Sequence, residues 1–239
     1  MNKKYTHIFF DLDNTLWDFE TNSRNALLVA FNNFELAVKT EFDHFHKVYE
    51  KHNKSLWELY RKNEIAKKEL VFQRFNLTFS ELGIDGVDAV KMNSYYLEVM
   101  PEQKLLAEGA TELLQYLKRK SYKLSVITNG FREVQMRKIE TSGLKPFITN
   151  VYISEVVKIQ KPNREIFEYA IKSSNAPKRS SVMIGDDWEV DIMGAAAFGI
   201  DSVFVTNDQN DSFTSVENTV NSKCKIYKTG SLKLLNCLF

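Results

Sequence analysis

Cysteine is almost absent from these 239 residues: Cys224 and Cys237 are the only two, both near the C-terminus. Two cysteines in a chain this long make no disulfide framework, and both are expected to be reduced packing residues. An excess of either charge is also missing. A formal net charge of +1 gives no long-range attraction to a nucleic acid polymer or an anionic membrane, although it leaves room for a local basic pocket. No run approaches the ~20 apolar residues of a membrane span. The first apolar run, IFF, is too short for a signal peptide and acidic residues follow it at once. Internal repeats and low-complexity stretches are lacking as well. What remains has the composition of an ordinary globular protein, 44% hydrophobic and 26% charged, and a soluble, cytoplasmic protein is expected.

Glycine is scarce in one region. Between residues 22 and 100 it occurs only at Gly83 and Gly86, while apolar residues recur at helical spacing. Leu27, Leu28, Phe31 and Phe34 form one stripe, and Leu56, Leu59 and Tyr60 another. Leu70, Phe72, Phe75, Leu77 and Leu82 form a third, irregular one, and Val90, Tyr95, Leu97 and Val99 a fourth before Pro101. The pattern predicts about four amphipathic helices and no strand. The flanking sequence differs. Short β-rich runs at 6–10 (THIFF), 123–127 (KLSVI), 150–153, 181–184 (SVMI) and 202–205 alternate with helical stretches at 110–118, 133–141, 164–172 and 190–198. A weaker strand at 225–227 and a short helix near 232–235 follow. Such alternation predicts a doubly wound α/β fold, a parallel sheet covered on both faces, with its ligand crevice at the carboxyl ends of the strands.

Four of those strand ends carry polar clusters: Asp11-Leu12-Asp13-Asn14-Thr15, Thr128-Asn129-Gly130, Lys161-Pro162-Asn163, and Gly185-Asp186-Asp187 with Asp191 a helical turn later. The chemistry available to them is coherent. A carboxylate is ionised at neutral pH without help and can attack phosphorus. A second carboxyl can donate and then recover a proton. A lysine and a hard cation held by oxygen ligands neutralise phosphoryl oxygens. Taken singly, each cluster has a plainer reading as a turn, a cap or a solvated surface charge.

In this order and at these strand ends, DLDNT, TNG, KPN and GDD with its trailing aspartate resemble the four motifs of the haloacid dehalogenase superfamily. The resemblance covers residues 1–15 and about 103–239. It implies a Rossmann-like core, 1–16 and 103–239, with the first strand between the second and fourth, and an inserted helical cap, 17–102. It implies that Asp11 is the nucleophile and a metal ligand, and that Asp13 is the general acid/base and binds the metal through its carbonyl. It also implies that Thr128, Asn129 and Lys161 hold the phosphoryl group, that Asp186 is the remaining ligand of a magnesium ion, and that Asp191 supports the site. Asp187 stands where a small hydroxyl residue is more usual. Lys158 stands where a glycine is usual and is a second candidate cation, with Lys161 favoured.

NKSLWELYRKNEI (53–65), ITNGF (127–131) and ISE (153–155) resemble the pyrimidine 5′-nucleotidase branch of that superfamily. The implied substrate is a small phosphate ester, a nucleoside 5′-monophosphate, handled by a monomer or homodimer. Trp57, Tyr60 and Phe131 are then candidates for substrate selection, against the plainer reading that they pack a helix core. A broad sugar-phosphate phosphatase, a phosphomutase and a phospho-acceptor signalling module remain as alternatives. A metal-free dehalogenase is disfavoured by Asp13. His44, His46 and His52 lack the cysteines or acids of a zinc site. His7 is expected to pack, and Trp188 lies beside the metal acids.

Overall fold

The computed structural model describes residues 4–206, 212–216 and 223–239, which divide into two compact units, Met1–Phe19 with Lys104–Phe239 and Glu20–Gln103. In chain order the elements are β1 (His7–Phe10), α1 (Phe19–Asn33), α2 (Phe42–Arg61), α3 (Lys67–Leu82), α4 (Ala89–Val99), α5 (Ala110–Arg119), β2 (Lys123–Thr128), α6 (Arg132–Thr141), β3 (Asn150–Ile153), the single turn α7 (Ser154–Val157) and α8 (Arg164–Ser173). These are followed by β4 (Ser181–Gly185), α9 (Gly194–Phe198), β5 (Asp201–Val205), β6 (Phe213–Val216) and β7 (Ile226–Thr229).

The larger unit is built on one sheet of order β3-β2-β1-β4-β5-β7-β6. All pairings are parallel except β6 with β7, an antiparallel edge that the sequence pattern did not signal. β1 lies between β2 and β4, with His7 opposite both Lys123 and Ser181. Strand alternation accounts for its burial on both sides. Phe9 joins Ile127, Tyr152, Met183, Ile166, Phe167 and Phe198 in one apolar cluster, while Ile8 and Phe10, pointing the other way, are equally buried. Because the strands run parallel, Asp11, Thr128 and Asp186 arrive at the same end of the sheet. The helix expected at 190–198 is two structures: a wide π-helical turn, Trp188–Met193, and then α9.

The smaller unit is four helices around an aromatic core in which Phe31, Phe45, Tyr49, Phe75, Phe79 and Tyr96 are buried. Tyr49 and Phe75 lie 5.0 Å apart between ring centroids, and Phe31 and Phe45 5.3 Å apart. Phe72, Leu77 and Val90 are exposed rather than part of the stripes expected of them. The inward face of α3 is Leu70, Arg74, Phe75, Thr78 and Phe79, whose i, i+4, i+5 spacing admits a buried arginine. Its Nε donates to Asn93 Oδ1 at 2.7 Å, and the guanidinium lies over the Tyr96 ring. Gly83, at φ +62°, closes α3, and the Asp88 carboxylate caps α4.

Neither cysteine forms a disulfide. Cys224 is buried as expected, but Cys237 is exposed at the last turn, a correction to the packing role assigned it. No helix among the described residues is long and apolar enough to cross a membrane.

Phe167 sits at the centre of the sheet-covering cluster and is fully buried. Phe167→Ala should lower unfolding stability by about 3–5 kcal/mol, read as a lower urea midpoint at unchanged slope. A loss under about 1 kcal/mol would mean that the α8 layer is not part of the cooperative core.

Candidate active site

Asp11 continues β1 by one residue, its amide donating to Ile184 O at 2.9 Å, so the sheet fixes its direction. Asn14 then turns the chain at φ 57°, a region that asparagine tolerates, and Asn14 N bonds to Trp17 O at 2.7 Å. This compact turn returns Thr15, whose hydroxyl donates to Asp186 Oδ1 at 3.0 Å.

Lys161 lies at the middle of the site, 2% exposed. Its ammonium is 2.5 Å from Asp11 Oδ1 and 2.6 Å from Asp191 Oδ1. The Asn129 side chain holds the lysine's main chain at both ends, donating to Lys161 O at 3.0 Å and accepting from Lys161 N at 2.9 Å. The Asn129 side-chain amide thus anchors the segment that carries the cation. Lys158 is exposed and sits at φ 65°, in the left-handed conformation that glycine adopts most readily. Asp187 accepts from the amides of Glu189 and Val190 and so caps the π-helical turn. That turn lowers Asp191 onto Lys161. Gly185 is required by proximity, since a Cβ there would lie 2.3 Å from Asp191 Oδ2.

One carboxylate oxygen from each of Asp11, Asp186 and Asp191 lies within 4.8 Å of the others. Burial drives the Asp11 carboxyl well above its ordinary range, with Lys161 opposing and the other acids reinforcing. Asp186 is pushed up to about 7 by burial and by the Asp191 charge. Burial would lower Lys161, but Asp11 and Asp191 overcome it and hold the ammonium charged. The acids are therefore short of positive charge, and their all-oxygen donor set suits a hard divalent ion. Asp11 and Asp186, with Asp191 beside them, fit magnesium on these grounds.

Asp13 is gripped separately. Lys138 Nζ lies 2.6 Å from Asp13 Oδ1, and Gln135 Nε2 donates to Asp13 Oδ2 at 2.9 Å and to Thr128 Oγ1 at 2.6 Å. Thr15, Gln135 and Lys138 were not among the expected site residues. Gln135 and Lys138 are three apart on α6, and their only signal is polar side chains on the face that buries Val134 and Ile139. Gly130 of TNG makes room for them: a Cβ there would lie 2.4 Å from Gln135 Cδ.

Phe131 is buried at the start of α6. Trp188 packs edge-on to Phe204 at 5.2 Å, in a cluster with Ile192 and Ile226. Trp57 and Tyr60 lie on α2 of the helical unit, edge to face at 5.6 Å. His46 pairs with Glu50, and His52 with Glu81. No histidine joins a candidate metal cluster among the described residues.

A family model for haloacid dehalogenase-like hydrolases matches residues 5–199. The pyrimidine 5′-nucleotidase YjjG of Escherichia coli is 34% identical over 199 residues, 82% of this chain and 84% of that protein. The pyrimidine 5′-nucleotidase PynA of Streptococcus pneumoniae is 31% identical over 238 residues, 98% of this chain and 95% of its own. The crystal structure of the HAD-hydrolase YfnB from Bacillus subtilis, bound to magnesium, superposes with a TM-score of 0.81 at 25% identity and covers 99% of both chains.

A cation entering this cluster must displace the proton that burial and Asp191 place on Asp186. Magnesium affinity, measured by calorimetry, should therefore fall as pH drops through about 7. An affinity that stays flat from about pH 5.5 to 8 would show that no raised carboxyl lies at the ion's site.

Proposed function

The chain belongs to the haloacid dehalogenase-like hydrolases, and from that premise we propose that it is a phosphatase of small phosphate monoesters acting through phosphorylated Asp11. The observation that carries this reading is Lys161 held between Asp11 and Asp191, with Asp13 secured apart from them. A lysine so placed lets an anionic nucleophile and an anionic phosphate meet.

In the first half-reaction an Asp11 oxygen forms a bond to phosphorus as the bond from phosphorus to the ester oxygen breaks. The protonated Asp13 carboxyl gives its proton to the departing oxygen, releasing an alcohol. In the second half-reaction the Asp13 carboxylate takes a proton from water as the water oxygen bonds to phosphorus. The acyl-phosphate P–O bond breaks, freeing inorganic phosphate and restoring both aspartates. Lys161 offsets charge on the phosphoryl oxygens, and the Thr128 hydroxyl, already accepting from Gln135, keeps its own proton to donate to one of them. Asp11, Asp186 and the main-chain carbonyl of Asp13 would hold magnesium, with Asp191 in support. When bound, magnesium supplies charge neutralisation at the phosphoryl group.

The proposed substrate is a pyrimidine nucleoside 5′-monophosphate. Two relatives bearing that activity in their names, one matched along nearly the whole chain, support it. On this reading the rings of Trp57 and Tyr60 serve the base. Stacking on an aromatic face is worth roughly 1–3 kcal/mol per base, so kcat/KM should favour pyrimidine nucleotides over hexose phosphates by about five- to a hundred-fold. Trp57→Ala should remove much of that margin while sparing a small generic ester. Equal losses on both would return Trp57 to a packing role, and faster hexose phosphate turnover would leave only the phosphatase chemistry.

Asp11→Asn keeps the volume and removes the nucleophile. Its kcat should fall by more than about a hundred-fold with the circular dichroism unchanged, and EDTA should silence the native protein. Turnover of the variant within about tenfold of native would reject Asp11 as the attacking group.

A further inference from the structure

We propose that Gln135 and Lys138 are positioning residues that lock the Asp13 carboxyl in its proton-transfer orientation and tie it to the phosphate-binding hydroxyl of Thr128; this rests on the phosphatase reading above. Both Asp13 oxygens are engaged, Oδ1 by the Lys138 ammonium at 2.6 Å and Oδ2 by the Gln135 amide at 2.9 Å. Two donors on two oxygens stop the carboxyl from rotating. Each oxygen has a second lone-pair site, so one remains able to carry the transferred proton.

Holding Asp13 in this way is costly. Lys138 is 1% exposed and Gln135 is fully buried, so α6 places an ammonium and an amide where apolar side chains would pack at lower desolvation cost. The ammonium is further confined by aromatic faces, 4.1 Å from the Trp17 ring centroid and 5.2 Å from that of Phe19. Trp17 is itself completely buried. A lysine fixed on so many sides cannot follow Asp13 if the acid swings away, so Asp13 stays where Lys138 is.

The same amide nitrogen of Gln135 also donates to Thr128 Oγ1 at 2.6 Å. One side chain thus spans the group that grips the phosphate and the group that protonates the leaving oxygen. The separation between those two tasks is set by a single rigid amide on α6. Gly130 accommodates it, because any side chain there would collide with Gln135. None of this requires Lys138 or Gln135 to touch the substrate.

Leaving-group dependence tests the proposal. The ratio kcat/KM reports only steps through the first irreversible one, phosphoryl transfer to Asp11. A nucleoside 5′-monophosphate expels an alkoxide that needs the Asp13 proton, whereas p-nitrophenyl phosphate expels a phenolate that does not. Lys138→Met should therefore lower kcat/KM for the nucleotide by about a hundred-fold and for p-nitrophenyl phosphate by less than about tenfold. Adding Asp13→Asn to Lys138→Met should cost little more, because two residues acting through one proton do not lose activity additively.

Equal losses on both esters, or independent losses that multiply in the double variant, would overturn the proposal and make Lys138 a packing cation. Lys138→Gln, neutral and shorter, carries the same comparison if Lys138→Met does not fold, with the same two outcomes. The native protein assayed alongside separates this result from the parent reading. Release of phosphate from neither ester by native protein would reject the phosphatase function itself. Native activity with no leaving-group selectivity in the variants would reject only the positioning role.

Discussion

The site depends on one buried cation. Lys161 lies between Asp11 and Asp191, nearly inaccessible to water, and both neighbours are themselves buried. Burial raises both carboxyls, with neighbouring acids adding to it, and the lysine opposes the rise at each. Burial works against the ammonium in turn, and the two acids outweigh it. The lysine is the member of this triad that cannot be spared, since without it two buried carboxylates are left uncompensated. Neighbouring features follow from keeping it intact. Asn129 pins the lysine's backbone at both its amide and its carbonyl, Asp187 shapes the π-helical turn that delivers Asp191, and Gly185 leaves Asp191 room.

The fold supplies the convergence. Parallel strands bring their C-terminal ends to one edge, so a residue following β1, one ending β2 and one following β4 meet although they are more than a hundred residues apart in places. Two kinds of charge control then operate side by side. Around Asp11 the acids outnumber the cation, and the deficit invites a metal. Around Asp13 the account balances locally, with Lys138 on one oxygen and the Gln135 amide on the other. The two carboxylates to which the proposed mechanism gives different tasks are thus held by different partners.

Much of this architecture could be read from residue order. β1 to β5 and most of the helices between them follow from short apolar runs alternating with periodic stretches, and strand ends pointed to the acids and Thr128, whereas Lys161 lies not at the end of β3 but beyond α7. Other features left no trace of that kind. β6 is an edge strand of four residues with no buried side chain, too short for a periodic pattern to mark it. Phe72, Leu77 and Val90 read as core because they are apolar, while the position they seemed to claim belongs to Arg74, whose burial depends on Asn93 from another helix. Gln135 and Lys138 share the inward face of α6 with Val134 and Ile139, and what they do there shows only once the turn after β1 brings Asp13 to them. Asn129 and Asp187 were recognised as belonging to motifs, yet their side-chain work, anchoring a backbone and capping a turn, is visible only in three dimensions. In each case the missing information is a partner distant in sequence.

The claim at the centre of this account is that the carboxylate held by Lys161 becomes the phosphate carrier. It is tested most directly by acid-quenching the native protein during turnover of a phosphate ester labelled at phosphorus, then mapping the labelled peptides. A transient, hydroxylamine-sensitive label is expected on the peptide containing Asp11, appearing before inorganic phosphate and decaying as phosphate accumulates. Label on any other residue, or full phosphate release with no protein-bound label on the millisecond scale, would contradict it.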